Sequence, residues 1–215
     1  MPLAAGFGGM ALDAAGNLYV TTQLEPGAGA STRYNSASDW MPMVLKIPNR
    51  GAGEATFFAG TPNNSNTPDN RNTCRDGALG TGQFGTWPYG MVIDKAGVLY
   101  VADAACGVRK VAADGTLSTL SPASAASAVG IAIGRGPFGE ETLFVAGWGH
   151  TLVAMNRLSG ETQPYAGVGA SVDAHYQDGP TKSARFWGPF ALAGTADGRV
   201  FVLDAYNNRI RVILP

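Results

Sequence analysis

The sequence predicts an all-β fold, specifically a β-propeller built of four-stranded antiparallel blades. Three observations predict it. The composition is 45% hydrophobic but only 14% charged, with 30 Gly and 13 Pro in 215 residues, which suits short strands joined by tight turns. A unit of short apolar runs divided by Asp/Ala/Gly turns recurs four times. No apolar period of 3.6 residues competes with it.

The clearest copy of the unit lies near the end, Asp178 to Val212. Its first two runs, Ala191–Ala193 and Val200–Asp204, flank Thr-Ala-Asp-Gly. Equivalent pairs are Met10–Asp13 with Leu18–Thr21, Met91–Asp94 with Val98–Asp103, and Ile131–Ile133 with Leu143–Ala146. Gly accepts positive φ and Asp bonds the backbone ahead of it, so each link reads as a turn between antiparallel strands. The link 134–142 reads as looser than the others.

A third run follows each pair, at Met43–Ile47, Val108–Val111, Leu152–Met155 and Arg209–Leu214. A fourth follows in three cases, at Thr56–Ala59, Thr116–Leu120 and Thr162–Ala166. Four-stranded units repeated radially stack their faces as propeller blades. The whole chain, 1–215, reads as one such domain, with blades at about 8–60, 90–120, 129–166 and 189–214. The last blade lacks a fourth strand. Residues 2–6 resemble the fourth-strand endings and are a candidate to close it; the alternative is that four blades belong to a larger propeller.

These residues resemble the NHL repeat. Asp178-Gly179, Ala184, Phe186, Pro189, Asp204, Asn207, Arg209, Ile210 and Arg211 carry the pattern, and Asp76-Gly77, Gly82, Phe84, Pro88, Gly90, Asp94, Tyr100–Asp103, Arg109 and Lys110 carry it again. The separation of Asp and Phe is identical in the two copies. The resemblance implies a propeller, usually of six blades, and a family that includes protein binders, RNA binders, sensor domains and a few lyases.

Propeller geometry sends the long loops 22–41, 61–89 and 167–188 to one face, where long ordered loops usually serve a task. All four tryptophans, both histidines and both cysteines fall there. Tyr34, Trp40, Trp148, His150, Tyr176 and Tyr206 are the candidate contact residues, because aromatic enrichment marks binding surfaces. Trp87 and Trp187, close to a Pro, are expected instead to plug the spaces between blades.

Cys74 and Cys106 fall on the same face of the second blade, which allows a disulfide as well as two free thiols; the bridge is the expectation. Asn63-Asn64-Ser65 is a glycosylation sequon at Asn63. With the cysteines it tilts localisation toward the extracellular space or an organelle lumen, although no signal peptide opens the chain. The chain thus reads as non-secreted, or as a mature or partial product.

Net charge is −1, from 15 basic and 16 acidic residues, which supplies no basic field for nucleic acid. RNA contacts by Arg109, Lys110, Arg209 and Arg211 are therefore not expected. No apolar run approaches the roughly 18 residues of a membrane span. His150 and His175, with Asp178 and Asp204 near, are too few to expect a metal site, whereas the zinc-dependent lyases among the NHL-like proteins use three histidines. Asp13, Asp94, Asp103 and Asp204 recur at equivalent strand ends, which argues for turn capping rather than catalysis.

The resulting expectation is a non-catalytic, cofactor-free propeller that binds protein through its long-loop face. A metal-dependent propeller hydrolase or lyase is the alternative. A structural module of a larger assembly or chain is the third reading.

Overall fold

The computed structural model describes residues 7–24, 41–48, 52–61, 74–85, 87–121, 127–169 and 176–215. They form four blades of a β-propeller. Blade 1 contains β1 (Phe7–Leu12), β2 (Leu18–Leu24), β3 (Met41–Ile47) and β4 (Thr56–Gly60). Blade 2 contains β5 (Pro88–Ile93), β6 (Leu99–Asp103), β7 (Gly107–Val111) and β8 (Leu117–Ser121). Blade 3 contains β9 (Ala128–Gly136), β10 (Gly139–Gly147), β11 (Leu152–Asn156) and β12 (Thr162–Ala166). Blade 4 has three strands, β13 (Pro189–Gly194), β14 (Val200–Asp204) and β15 (Arg209–Ile213). Every sheet is antiparallel with its strands in chain order.

The β9–β10 link differs from expectation. Both strands extend until Gly136 pairs with Gly139, which leaves a two-residue hairpin loop at Pro137 and Phe138 where a looser turn is expected. A bulge between Gly139 and Thr142 absorbs one extra residue on β10.

No blade has a core of its own. Tyr19, Val44 and Ala59 of blade 1 pack with Met91, Leu99, Val101 and Leu117 of blade 2. Tyr100, Ala102 and Val108 on the other face of blade 2 pack with Ile131, Leu143, Val145 and Met155 of blade 3. Phe144, Leu152 and Ala154 then pack with Val200, Val202 and Ile213 of blade 4. Period-two alternation makes this sharing possible, since neighbours along one strand serve opposite cores.

The inner strands β1, β5, β9 and β13 stand side by side in that order, and β13 does not come alongside β1 in the same way. The approach is close enough to exclude side chains. A Cβ on Gly130 would lie 2.7 Å from the Phe190 carbonyl oxygen, so this position requires glycine. The candidate closing strand at residues 2–6 lies outside the described residues.

Candidate functional site

The recurring aspartates hold the site from beneath. Asp13 Oδ1 accepts from the Asn17 amide at 2.7 Å, and Asp94 Oδ1 accepts from the Ala96 and Val98 amides, each at 2.9 Å. These two close the β1–β2 and β5–β6 turns, at the end of the blades away from the long loops. At the loop-bearing end, Asp103 accepts from the Gly85 amide at 2.7 Å and Asp204 from the Trp187 amide at 2.7 Å. Each therefore fixes the segment that leads into its own blade. Burial raises the Asp103 carboxyl above its ordinary value, against the opposing pull of the Gly85, Ala105 and Cys106 amides and of Arg109.

Arginine completes the same device. Arg109 Nη1 donates to the Gln83 carbonyl at 2.8 Å, and Nη2 to the Arg75 carbonyl at 3.1 Å and to Asp76 Oδ1 at 2.9 Å. In blade 4, Arg211 Nη2 donates to the Gln177 carbonyl and to Asp178, both at 2.7 Å, and Nη1 donates to the Arg185 carbonyl. The guanidinium groups also lie over Phe84 and Phe186. Arg109 and Arg211 thus hold the fold together. Arg209 is more open and stacks over Tyr176, 3.7 Å from the ring centroid.

The spaces between blades are filled by Phe84 and Phe186, each 4% exposed. Trp87 and Trp187, expected there as plugs, are 42% and 40% exposed. The reason is the anchoring just described. Phe84 and Phe186 precede the anchored amides and turn inward, while the bulkier indoles of the following segment are left at the surface.

Four rings form a continuous line across the loop-bearing end. Trp87 stacks parallel to Tyr89 with centroids 6.1 Å apart, Tyr89 meets Phe190 edge-on at 5.7 Å, and Phe190 meets Trp148 edge-on at 5.4 Å. Trp148, in the β10–β11 turn, is 41% exposed. Burial raises the Tyr89 phenol above its ordinary pKa. Beside this line, Trp187 and Tyr206 form a second pair at 5.6 Å.

Of the expected contact residues, Trp148, Tyr176 and Tyr206 present exposed rings at this end. His150 is half-buried, at φ 61°, and its Nδ1 accepts from the Gly188 amide at 3.1 Å, joining the β10–β11 turn to the segment ahead of β13. Tyr34, Trp40, Asn63 and His175 lie outside the described residues. Tyr89 and Phe190 escape the sequence reading. Their signal is an aromatic directly after the proline that starts an inner strand, where the other inner strands carry Gly8 and Val129.

Those two rings rise beside a depression of about 450 Å³ between the inner strands, which Gly8, Gly9, Gly90 and Gly130 also line. Cys74 and Cys106 form a disulfide, with an S–S distance of 2.06 Å. It ties the segment leading into blade 2 to the β6–β7 turn. Among the described residues, no three His, Cys, Asp or Glu side chains converge as metal ligands do, and no helix is long and apolar enough to cross a membrane.

No protein-family model matches the chain, and no curated protein matches it. Solved structures do. A protein of unknown function from Bacteroides thetaiotaomicron aligns with TM-score 0.63 and 17% identity, over 96% of this chain and 46% of that one. An auxiliary nutrient binding protein from the same organism aligns with TM-score 0.63 and 14% identity, over 95% and 46%. A gluconolactonase from Xanthomonas campestris aligns with TM-score 0.53 and 13% identity, over 97% and 62%. The chain spans less than half of the first two and under two thirds of the third. At these identities the likeness is one of fold, and the fold is the β-propeller.

Proposed function

We propose that this chain is a non-catalytic binding module of NHL-like type that takes a protein partner on its loop-bearing end. The observation that carries the reading is the line Trp87–Tyr89–Phe190–Trp148, which draws rings from blades 2, 3 and 4 into one strip, exposed at its Trp87 and Trp148 ends and half-buried between them. Tyrosine and tryptophan offer large contact area with few rotatable bonds, which is why such residues dominate binding energies. Tyr206 and Tyr176 extend the strip on blade 4, and His150 sits at the same end; we propose contact roles for Tyr34 and Trp40 as well, on the sequence alone. The disulfide favours an oxidising compartment, outside the cell or in a lumen.

The test is affinity capture with the wild-type chain, followed by binding measurements on the purified captured protein. Trp148→Ala is expected to weaken that binding at least tenfold, the loss usual for a central aromatic anchor at about 2 kcal/mol. Undiminished binding by Trp148→Ala together with Trp87→Ala defeats the reading.

The depression between the inner strands favours a second reading, a small-molecule ligand. Its glycine lining leaves backbone polar groups accessible, and two flanking aromatics suit a ligand with a flat apolar face. The fold likeness to auxiliary nutrient binding proteins agrees with it. Titration with a panel of mono- and disaccharides, followed by tryptophan fluorescence, separates the two readings. A saturable change lost in Phe190→Ala but kept in Trp187→Ala identifies the depression as the site.

A further inference from the structure

His150 stands in a backbone conformation that few side chains adopt. It lies in the turn between β10 and β11 with φ 61°, and its amide donates to the Gly147 carbonyl at 3.3 Å. The β6–β7 and β14–β15 turns also pass through a left-handed residue, but there it is Gly107 and Asn208, types that carry positive φ at little cost. A histidine persists in this region only where its surroundings fix it, and such positions collect where a protein switches.

One bond across the blades fixes it. His150 Nδ1 accepts from the Gly188 amide at 3.1 Å. The neighbouring groups of that stretch are satisfied within blade 4. The Trp187 amide donates to Asp204 at 2.7 Å, and the Trp187 and Gly188 carbonyls accept from the Tyr206 and Ala205 amides at 3.1 and 3.0 Å. Gly188 is buried, and a Cβ there would come within 2.4 Å of the Tyr206 ring. Losing the imidazole therefore strands a buried donor.

That donor dictates the state of the ring. A backbone N–H cannot accept, so His150 is neutral, with Nδ1 bare and the proton on Nε2. Protonation makes Nδ1 a donor aimed at another donor, and the bond cannot survive it. Among the elements packed around the ring, its own turn carries no charged side chain and β12 brings only the Tyr165 phenol. The segment ahead of β13 brings Tyr176, Asp178, Lys182 and Arg185. From β14 to β15 come Asp204, Tyr206, Arg209 and Arg211. Both carboxylates are already paired with Arg211, at 2.7 Å for Asp178 and 3.3 Å for Asp204, so neither is left free to hold an imidazolium in the same place.

We propose that His150 is a pH-operated tie between blades 3 and 4. Neutral, it locks the Trp148 turn to the Trp187–Gly188 stretch and so fixes the edge-on contact of Trp148 with Phe190. Protonated, it frees the turn, and the aromatic line loses its Trp148 end. The effect on binding rests on the reading of that line as a contact surface: a partner held at neutral pH is released by acid.

The free chain tests the tie without any partner. In isotope-labelled protein, the Gly188 amide and Trp148 indole resonances are followed from about pH 8 to about pH 5, the span in which an imidazole changes charge. Wild type should show one shared transition in both signals. His150→Asn, whose carboxamide oxygen accepts the same bond and whose backbone tolerates positive φ, should hold the high-pH positions throughout. His150→Gly keeps the turn without an acceptor and should show the released positions at every pH. His175→Gln removes the other histidine and should leave the wild-type transition in place. A transition that survives in His150→Asn overturns the tie, as do wild-type signals that stay still or move apart. With the captured protein, wild-type affinity should fall severalfold at the acid end and that of His150→Asn should not. Unchanged affinity beside an intact free-chain transition takes Trp148 out of the contact surface and leaves the tie standing.

Discussion

Arg109 and Asp76 form an ion pair at 2.9 Å in which the guanidinium is wholly buried and the carboxylate is half exposed. The arginine reaches from the third strand of blade 2 to the segment that leads into it. Burial pulls the Arg109 pKa down and the neighbouring carboxylates of Asp76 and Asp103 push back. The carbonyls of Arg75 and Gln83 depend on the same group.

Removing Arg109 takes a donor from the Gln83 carbonyl and from Asp76, and a positive charge from beside the buried Asp103, which keeps the Gly85 and Ala105 amides. Arg109→Ala is expected to cost about 3–5 kcal/mol, because several hydrogen bonds to a charged group and the packing of a buried side chain are lost together. Arg109→Lys should recover little, because an ammonium cannot fork to three acceptors. Arg211→Ala removes ion pairs to the largely exposed Asp178 and to the buried Asp204 and should cost about as much as Arg109→Ala. Urea denaturation of the three variants checks this, with the two alanine variants expected together.

The disulfide closes a loop between residues 32 positions apart. Chain entropy assigns about 3–4 kcal/mol to a closure of this length. Cys74→Ala with Cys106→Ala should lower stability by that amount. Wild type unfolded in reductant should match the double variant, and a shift below about 1 kcal/mol would show that residual structure in the unfolded chain offsets the closure entropy.

Phe186 and Trp187 are adjacent and should behave oppositely. Phe186→Ala opens a cavity between blades 3 and 4 and is expected to cost about 3–5 kcal/mol. Trp187→Ala removes a surface ring and should cost under about 1 kcal/mol. Thermal melts of the pair decide whether the two aromatics divide packing and surface as described.

Burial is the first cause that raises the phenols of Tyr19, Tyr100 and Tyr165 above their ordinary pKa. For a group with a raised folded pKa, the unfolded chain loses its proton first as pH climbs. The stability is therefore full below the unfolded pKa near 10 and is lost as pH rises toward the folded values. Alkaline unfolding followed by tyrosinate absorbance should show late, cooperative ionisation. Tyr100→Phe should retain more stability than wild type at high pH.

The blades were legible because their information is local. Asp-Gly, Phe, Pro and the paired apolar runs each encode a turn, a plug or a strand within a few residues. The Cys74–Cys106 bridge was legible because loop sorting puts both on one face. Trp87 and Trp187 were misplaced for a non-local reason: Asp103 and Asp204 anchor the backbone so that the phenylalanines, and not the indoles, turn inward. Tyr89 and Phe190 carry only an aromatic after the proline that opens each strand, and nothing within either strand says that the two rings meet. Their meeting depends on inner strands from blades 2 and 4, with β9 between them.

Because every core straddles two blades, blades 2 and 3 are, among the described residues, clamped on both faces and blades 1 and 4 on one. Openings that expose the backbone should then begin at the ends of the row and travel inward, as in a one-dimensional array. Amide hydrogens of β6 and β10 should exchange with solvent most slowly, near the rate set by global unfolding. Those of β1 and β15 should exchange sooner. The molecule would thus loosen outermost blades first while its centre keeps its shape.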